Sequence, residues 1–319
     1  MSSMAQRVVM CVGGLSLGSA TALGGPPRFD LVDSDAVWAL HIDFEEASES
    51  RLGSWLLEKI DEEIDGDEFA REMMGDMAWG EDIKGLTLYG WDGGDEESIV
   101  AVLQGSEAFD GLEERLWHGH KFLHGDEEIR VAGREIISLS EPGDDEEQIN
   151  IVIERWRDGE RVLIASPERA WLGRALRVLE GEREGLRGDA ALLEASSPAE
   201  HAMIVVMATD IESWKNFEPV SHLARDAHSV WGAISEEDGR VRVRAAVTAD
   251  DEAQAEQIAQ VIRGVIAFGQ LLAGDAEDDE LRELADLARG LRFGVDGRTI
   301  RAEFEMDAEQ AAWLMDLDH

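Results

Sequence analysis

Along this chain the apolar and polar positions repeat one unit: two short alternating runs joined by Asp-Gly, then an amphipathic stretch. The unit is clearest between Val230 and Gly274, where an apolar run, Asp238-Gly239, a second run over 240–248 and a long amphipathic segment opening at Asp250 follow one another. Both residues of Asp-Gly tolerate the positive φ of a type I′ turn, so the pair between alternating runs predicts a β-hairpin. Four such turns are present, at Asp92-Gly93, Asp158-Gly159, Asp238-Gly239 and Asp296-Gly297. A helix start follows each second strand: Ser106, Ser166 before Pro167, Asp250, and Asp307 with Gln310 three residues on. These are residue types that accept the first N–H groups of a helix, with proline suited to its first position.

The pattern predicts a strand over 35–43 with a nearly continuous apolar centre, of the kind buried on both faces. A helix over 51–64 follows, with Leu52, Trp55, Leu56, Ile60 and Ile64 on one side, and a shorter one over 67–77. The first hairpin pairs 85–91 with 98–104, and its helix runs to about Trp117. The pattern weakens over 118–147, where strands at 128–132 and 135–139 flank Gly133 and residues 142–147 make an acidic loop. The second hairpin (150–156 with 160–165) precedes a helix over 167–179. A stretch over 181–198 bearing Gly, Ser and Pro reads as a boundary, after which 202–210 restarts the pattern and ends in Asp-Ile-Glu where the first half has Asp-Phe-Glu. Ile258, Ile262, Val265, Phe268 and Leu272 share a face of the long helix, and a further helix is expected over 279–287. The chain thus reads as a duplication with insertions. The expected fold is α+β, two related halves (23–195 and 196–319), each a mainly antiparallel sheet with helices packed on one face. The modules 36–181 and 202–316 are expected to share a strand order.

The first residues change the picture of where this fold works. Arg7, the apolar run over 8–17 and Ala20-Thr21-Ala22 make residues 1–22 a secretory signal peptide, and an exported protein, periplasmic or extracellular, is expected. Cys11 is the only cysteine and lies inside that signal, so the mature chain has no disulfide or thiolate chemistry. The formal charge of −41 becomes −42 once Arg7 is removed (−41 − 1). Such a body repels nucleic acid and anionic membranes, and no later stretch suits membrane insertion. Lysine occurs only at Lys59, Lys84, Lys121 and Lys215, and abundant acid with few lysines fits adaptation to salt.

Several stretches also carry a resemblance: G-x-T-L-Y-G at Gly85 to Gly90, the strand over 98–105, the strand over 161–166 before its helix, and V-D-G-R-T-I-R-A-E-F from Val295 to Phe304. Together they resemble a group of exported bacterial proteins of unknown function with a duplicated hairpin-plus-helix architecture. The resemblance implies export and architecture, and no catalytic residue.

Candidate chemistry is sparse. His118, His120 and His124 share one parity, so on a strand they would face one way beside Asp126, Glu127 and Glu128, a possible zinc or copper set without an evident fourth ligand. The run from Asp61 to Glu72 places carboxylates and Gly66 as a calcium loop does, but departs from that pattern at Glu63 and Glu68. Ten Trp against the lone Tyr89 raise sugar stacking, although Trp55 and Trp171 fall on apolar faces that suit the core. No nucleophile elbow, phosphate loop, zinc-protease motif or dinucleotide fingerprint is present. The expectation is a non-catalytic exported protein, a binding or structural envelope component without cofactor, whose partner is a protein or small molecule. A divalent-metal (calcium or zinc) binder is the first alternative, and a motif-poor hydrolase the second.

Overall fold

The computed structural model describes residues 29–66, 71, 75, 77–92, 96–124, 128–140, 148–156, 160–186, 202–209, 227–274 and 290–316. The class is α+β. Among the described residues the strands are β1 (Trp38–Asp43), β2 (Ile83–Gly90), β3 (Ile99–Gly105), β4 (Ile129–Val131), β5 (Arg134–Ser140), β6 (Gln148–Arg155), β7 (Arg161–Ser166), β8 (Ile204–Thr209), β9 (Ala227–Glu237), β10 (Arg240–Ala249), β11 (Arg292–Asp296) and β12 (Thr299–Asp307). Six α-helices accompany them: α1 (Phe44–Glu49), α2 (Arg51–Gly66), α3 (Phe109–His124), α4 (Arg169–Leu179), α5 (Glu252–Gly274) and α6 (Ala308–Asp316). None is long and apolar enough to cross a membrane.

The strands form one antiparallel sheet in the order β11-β12-β10-β9-β8-β1-β2-β3-β7-β6-β5-β4. The pattern of each half leaves open whether the two share a sheet; β1 pairs with β8, Leu40 opposite Val206, and the sheet is continuous. Outward from that pair the order is β1-β2-β3-β7-β6 on one side, with β5 and β4 beyond, and β8-β9-β10-β12-β11 on the other. On both sides the first strand is followed by its hairpin, and the second hairpin joins through its later strand.

The helices do not all lie on one face. The first face carries Ile42, Leu86, Leu88, Leu163 and Ile151, against which α1, α2 and α3 pack through Phe44, Leu56, Phe109, Leu112 and Leu116. That face continues through Val241 and Met306 under α6 and through Ala249 and Ile300 under α5. The second face carries Tyr89, Val100, Val102, Val162 and Ile164, and α4 covers it with Leu172, Ala175 and Leu176, joined by Phe29 and Leu31. The physical reason is in the strands. In β2, β3 and β7 both faces are apolar, so each needs cover. In β10 and β12 the second face carries Arg240, Arg242, Arg244, Glu303, Glu305 and Asp307, which are solvated without a helix.

Turn chemistry follows the pattern with two changes. Asp238 (φ 53°) and Gly239 (φ 76°) close β9–β10 as a type I′ turn. Ala132 (φ 49°) and Gly133 (φ 80°) close β4–β5 in the same way, a hairpin without Asp-Gly. At β11–β12 the turn is centred one residue later than expected: Asp296 pairs with Thr299, so Gly297 (φ 57°) and Arg298 form the loop. Gly93, Asp158-Gly159 and the helices expected over 67–77 and 279–287 fall wholly or largely outside the described residues. The start of α5 is also displaced by one: Asp251, not Asp250, accepts the Gln254 N–H at 2.9 Å, while the Gln254 side chain accepts the Asp250 N–H at 3.1 Å. Ser166 caps nothing, since its hydroxyl donates to the Ile99 carbonyl at 2.8 Å.

Candidate ligand site on the charged face of the sheet

Register brings four strands into two adjacent rows on the second face. In one, Trp231, Ala246, Arg301 and Gly294 stand side by side across β9, β10, β12 and β11; in the next stand Ala233, Arg244, Glu303 and Arg292. A cavity of about 330 Å³ lies over these rows, lined by Trp231, Arg244, Ala246, Arg292, Gly294 and Arg301 with Glu303 beside them. It exists partly because β11 places a glycine in its middle. A Cβ built on Gly294 meets nothing within 4 Å.

The electrostatics of this patch depart from those of the chain. Three guanidinium groups and one carboxylate line the cavity of a protein with a formal charge of −41. Arg301 Nη1 pairs with Asp296 at 2.8 Å in an exposed, solvent-screened contact. Arg244 Nη2 lies 3.4 Å from the Ser235 hydroxyl. Burial, together with the nearby Arg242, holds Arg244 below the usual guanidinium range, and Glu303 acts the other way. Arg242, one row further, belongs to Glu305 at 2.8 Å and Glu303 at 3.4 Å, and Arg240 to Asp307 at 3.1 Å. Trp231 is 3% exposed, and its indole Nε1 has no hydrogen-bond acceptor among the described residues. A buried donor left unmade costs about 1–3 kcal/mol, a cost that an acceptor reaching this nitrogen would recover.

The residues singled out by sequence lie elsewhere. His118 and His120 are on α3, not on a strand, so two positions apart they point to different sides of a helix with about 3.6 residues per turn. His118 is exposed, whereas His120 is 2% exposed and its Nδ1 accepts the Ser138 N–H at 3.1 Å. His124 ends the same helix; its side chain lies outside what is described, as do 67–70 and Glu72 of the acidic run, whose beginning is the last turns of α2. Among the described residues no three His, Cys, Asp or Glu side chains are grouped as metal ligands. Trp171 stacks on Trp91 with centroids 4.3 Å apart, and Arg174 sits 4.7 Å over Trp91, a packed cluster on the second face. Arg174 and Arg183 both reach Asp33, which is fully buried; burial pushes its pKa up, but the Asp35 N–H and the two guanidiniums outweigh that and hold it below the usual carboxylate range.

A second cavity, about 480 Å³, lies by α3, β5 and β6 and is lined by Glu113, Trp117, Lys121, Arg134, Glu135 and Glu154 among others. Its one guanidinium is already engaged, Arg134 meeting Glu154 and Glu180 at 3.0 Å each. The charged-face residues were not singled out by sequence. Their signals were arginine alternating with apolar residues in β10, and a lone Gly inside the run Arg-Phe-Gly-Val-Asp, the mark of a close approach to a strand.

No protein-family model and no curated protein matches the chain. Among solved structures it is similar to the protein TP0453. Crystal form III of TP0453 aligns with a TM-score of 0.47 at 11% identity, over 92% of this chain and 99% of that one. Crystal form IV gives 0.48 at 10% over 90% and 95%, and crystal form I 0.43 at 11% over 92% and 98%. At this distance the likeness assigns no function.

Proposed function

We propose that this is an exported, non-catalytic binding protein that holds its ligand on the charged face of β9 to β12. The observation that carries the reading is the cavity over the two cross-strand rows. It lies where α5 and α6 are on the opposite face, and its floor is kept open by a glycine on an edge strand. The signal over residues 1–22 supports export, to the periplasm or beyond. Duplication belongs to the same reading. Supporting it are the like strand orders counted from β1 and from β8 and the antiparallel pairing of those two strands, as a two-fold axis between halves requires. The closing helices α4 and α6 then differ in the face they cover, in step with the apolar and charged second faces of the two halves.

Ligand-observed NMR with a library of small charged and neutral compounds tests the reading. Compounds that bind the wild type should lose binding in Gly294→Val, where the added Cβ has no protein atom within 4 Å and bulk is placed beside the cavity. Each bound compound should also be recovered unchanged after long incubation. Hits indifferent to Gly294→Val would place the binding surface elsewhere, and conversion of a bound compound would make the protein an enzyme.

A further inference from the structure

Resting on that reading, we propose that the ligand of the β9–β12 cavity is a small organic anion, a carboxylate or phosphate monoester joined to a compact apolar or aromatic group. The walls offer donors. Arg244, Arg292 and Arg301 supply guanidinium N–H groups from three neighbouring strands, and beside them lies the buried Trp231 Nε1–H, a neutral donor with no acceptor among the described residues. Guanidinium forks match the paired oxygens of carboxylate and phosphate. Arg292 makes no ion pair among the described residues, and the one pair made by Arg301 leaves its remaining N–H groups for a ligand. Glu303, the single carboxylate of the lining, is flanked by Arg244 and Arg292 in its own row and lies 3.4 Å from Arg242, so it sits among cations without reversing the sign of the patch.

The apolar part of the ligand has a defined place. Trp231 and Ala246 stand next to each other in the first row, so an indole face and a methyl adjoin the ring of donors. Gly294 leaves room at the opposite end of the same row. At about 330 Å³ the cavity is near the lower end of the range for small-molecule sites, which starts at about 300 Å³ and so favours a compact ligand. A cation would meet three like charges. A bare inorganic anion would leave the indole and methyl uncovered. The body as a whole is strongly acidic, so an anion bound here is selected by short-range contacts against the long-range field, and binding should be measured at one fixed, moderate ionic strength.

Calorimetry with benzoate, phenyl phosphate, inorganic phosphate and benzylamine tests this on the full mature protein. Benzoate or phenyl phosphate should bind one to one, and whichever is tighter tells a carboxylate ligand from a phosphate ester. Arg292→Ala should weaken that binding about tenfold or more, and Trp231→Phe about fivefold, as expected for a charge-assisted and a neutral hydrogen bond. Gly294→Val should abolish it while leaving the melting midpoint unchanged, which separates occlusion from unfolding. Inorganic phosphate should bind more weakly than phenyl phosphate, and benzylamine not at all. The assignment is overturned if neither organic anion binds at millimolar concentration, if inorganic phosphate binds as tightly as phenyl phosphate, or if Arg292→Ala leaves the affinity unchanged. Benzylamine binding that Gly294→Val removes would overturn the anion while keeping the cavity as the ligand site. Anion binding untouched by Gly294→Val would overturn both.

Discussion

Two buried acids near the start of α1 show how single residues set the pH response of this fold. Asp43 caps α1, its carboxylate accepting the Glu46 N–H, and both side chains are buried. Burial, partly offset by backbone N–H donors, raises Asp43 to about 7. Burial and the neighbouring Asp43, Glu49 and Glu45 raise Glu46 to about 8. In the unfolded chain both acids lose their protons near pH 4. Between about pH 4 and pH 8 the folded state therefore binds more protons than the unfolded one, and stability falls as pH rises through that window. Asp33 acts in the opposite sense, since its lowered pKa gives stability that is lost only as pH falls below the ordinary carboxylate range. Melts at constant salt should show a midpoint that drops from pH 5 to pH 8.5. Asp43→Asn keeps a good cap and removes one of the two charges, so it should stabilise the protein at pH 8.5 and flatten the profile. A profile unchanged by that substitution would contradict the burial argument.

At the scale of elements, α1 and α2 meet at a corner that depends on one glycine. Ser50 ends α1 and its hydroxyl accepts the Gly53 N–H at 2.9 Å, capping α2. The Gly53 Cα lies so close to the Ala47 backbone that an added Cβ would overlap the Ala47 carbonyl and Cα. Gly→Ala inside a helix ordinarily gains about 1 kcal/mol. Here Gly53→Ala should instead destabilise by about 2 kcal/mol or more, because backbone atoms must move. Chemical denaturation measures the sign, and a gain in stability would show that the corner opens easily. The elements themselves were largely legible in the sequence. Alternation and Asp-Gly marked β9–β10, and the spacing of Leu52, Leu56 and Ile60 marked α2. What was not legible has physical causes. The β4–β5 turn uses Ala132 at positive φ, which no local rule favours, and α3 runs to His124 through Gly119 because Leu116 and His120 are buried together with β5 as well as with their own helix. The ligand rows were hidden for another reason: residues from four strands become neighbours only through register, and a sequence does not display register across the chain.

At the scale of the whole molecule, the acidic charge should set the solution behaviour. With a formal charge of −41, self-repulsion opposes folding, and exposed pairs such as Arg51–Glu309 at 3.1 Å offset little of it. The Debye length shrinks to about 3 Å in molar salt, so the repulsive component is largely screened. Thermal melts in sodium chloride from low to molar concentration should rise in midpoint; a flat or falling series would mean that charge does not limit stability.

The pairing of β1 with β8 joins segments more than half the chain apart, and it gives the centre of the sheet a covering role. Trp38, Ala39, Leu40 and Ile42 are packed on both sides of β1, with no proline and with no charge until Asp43. Residues 23–195 made alone would leave that strand as a bare apolar edge with unpaired N–H and carbonyl groups, the kind that recruits another chain. Because β8 approaches β1 antiparallel, a second copy of β1 can take its place by the same geometry. The isolated half should therefore self-associate in light scattering, whereas the intact chain shields this edge from within. A folded, monomeric half would mean that β8 is dispensable as a cover, and that the two halves are joined by convenience and not by need.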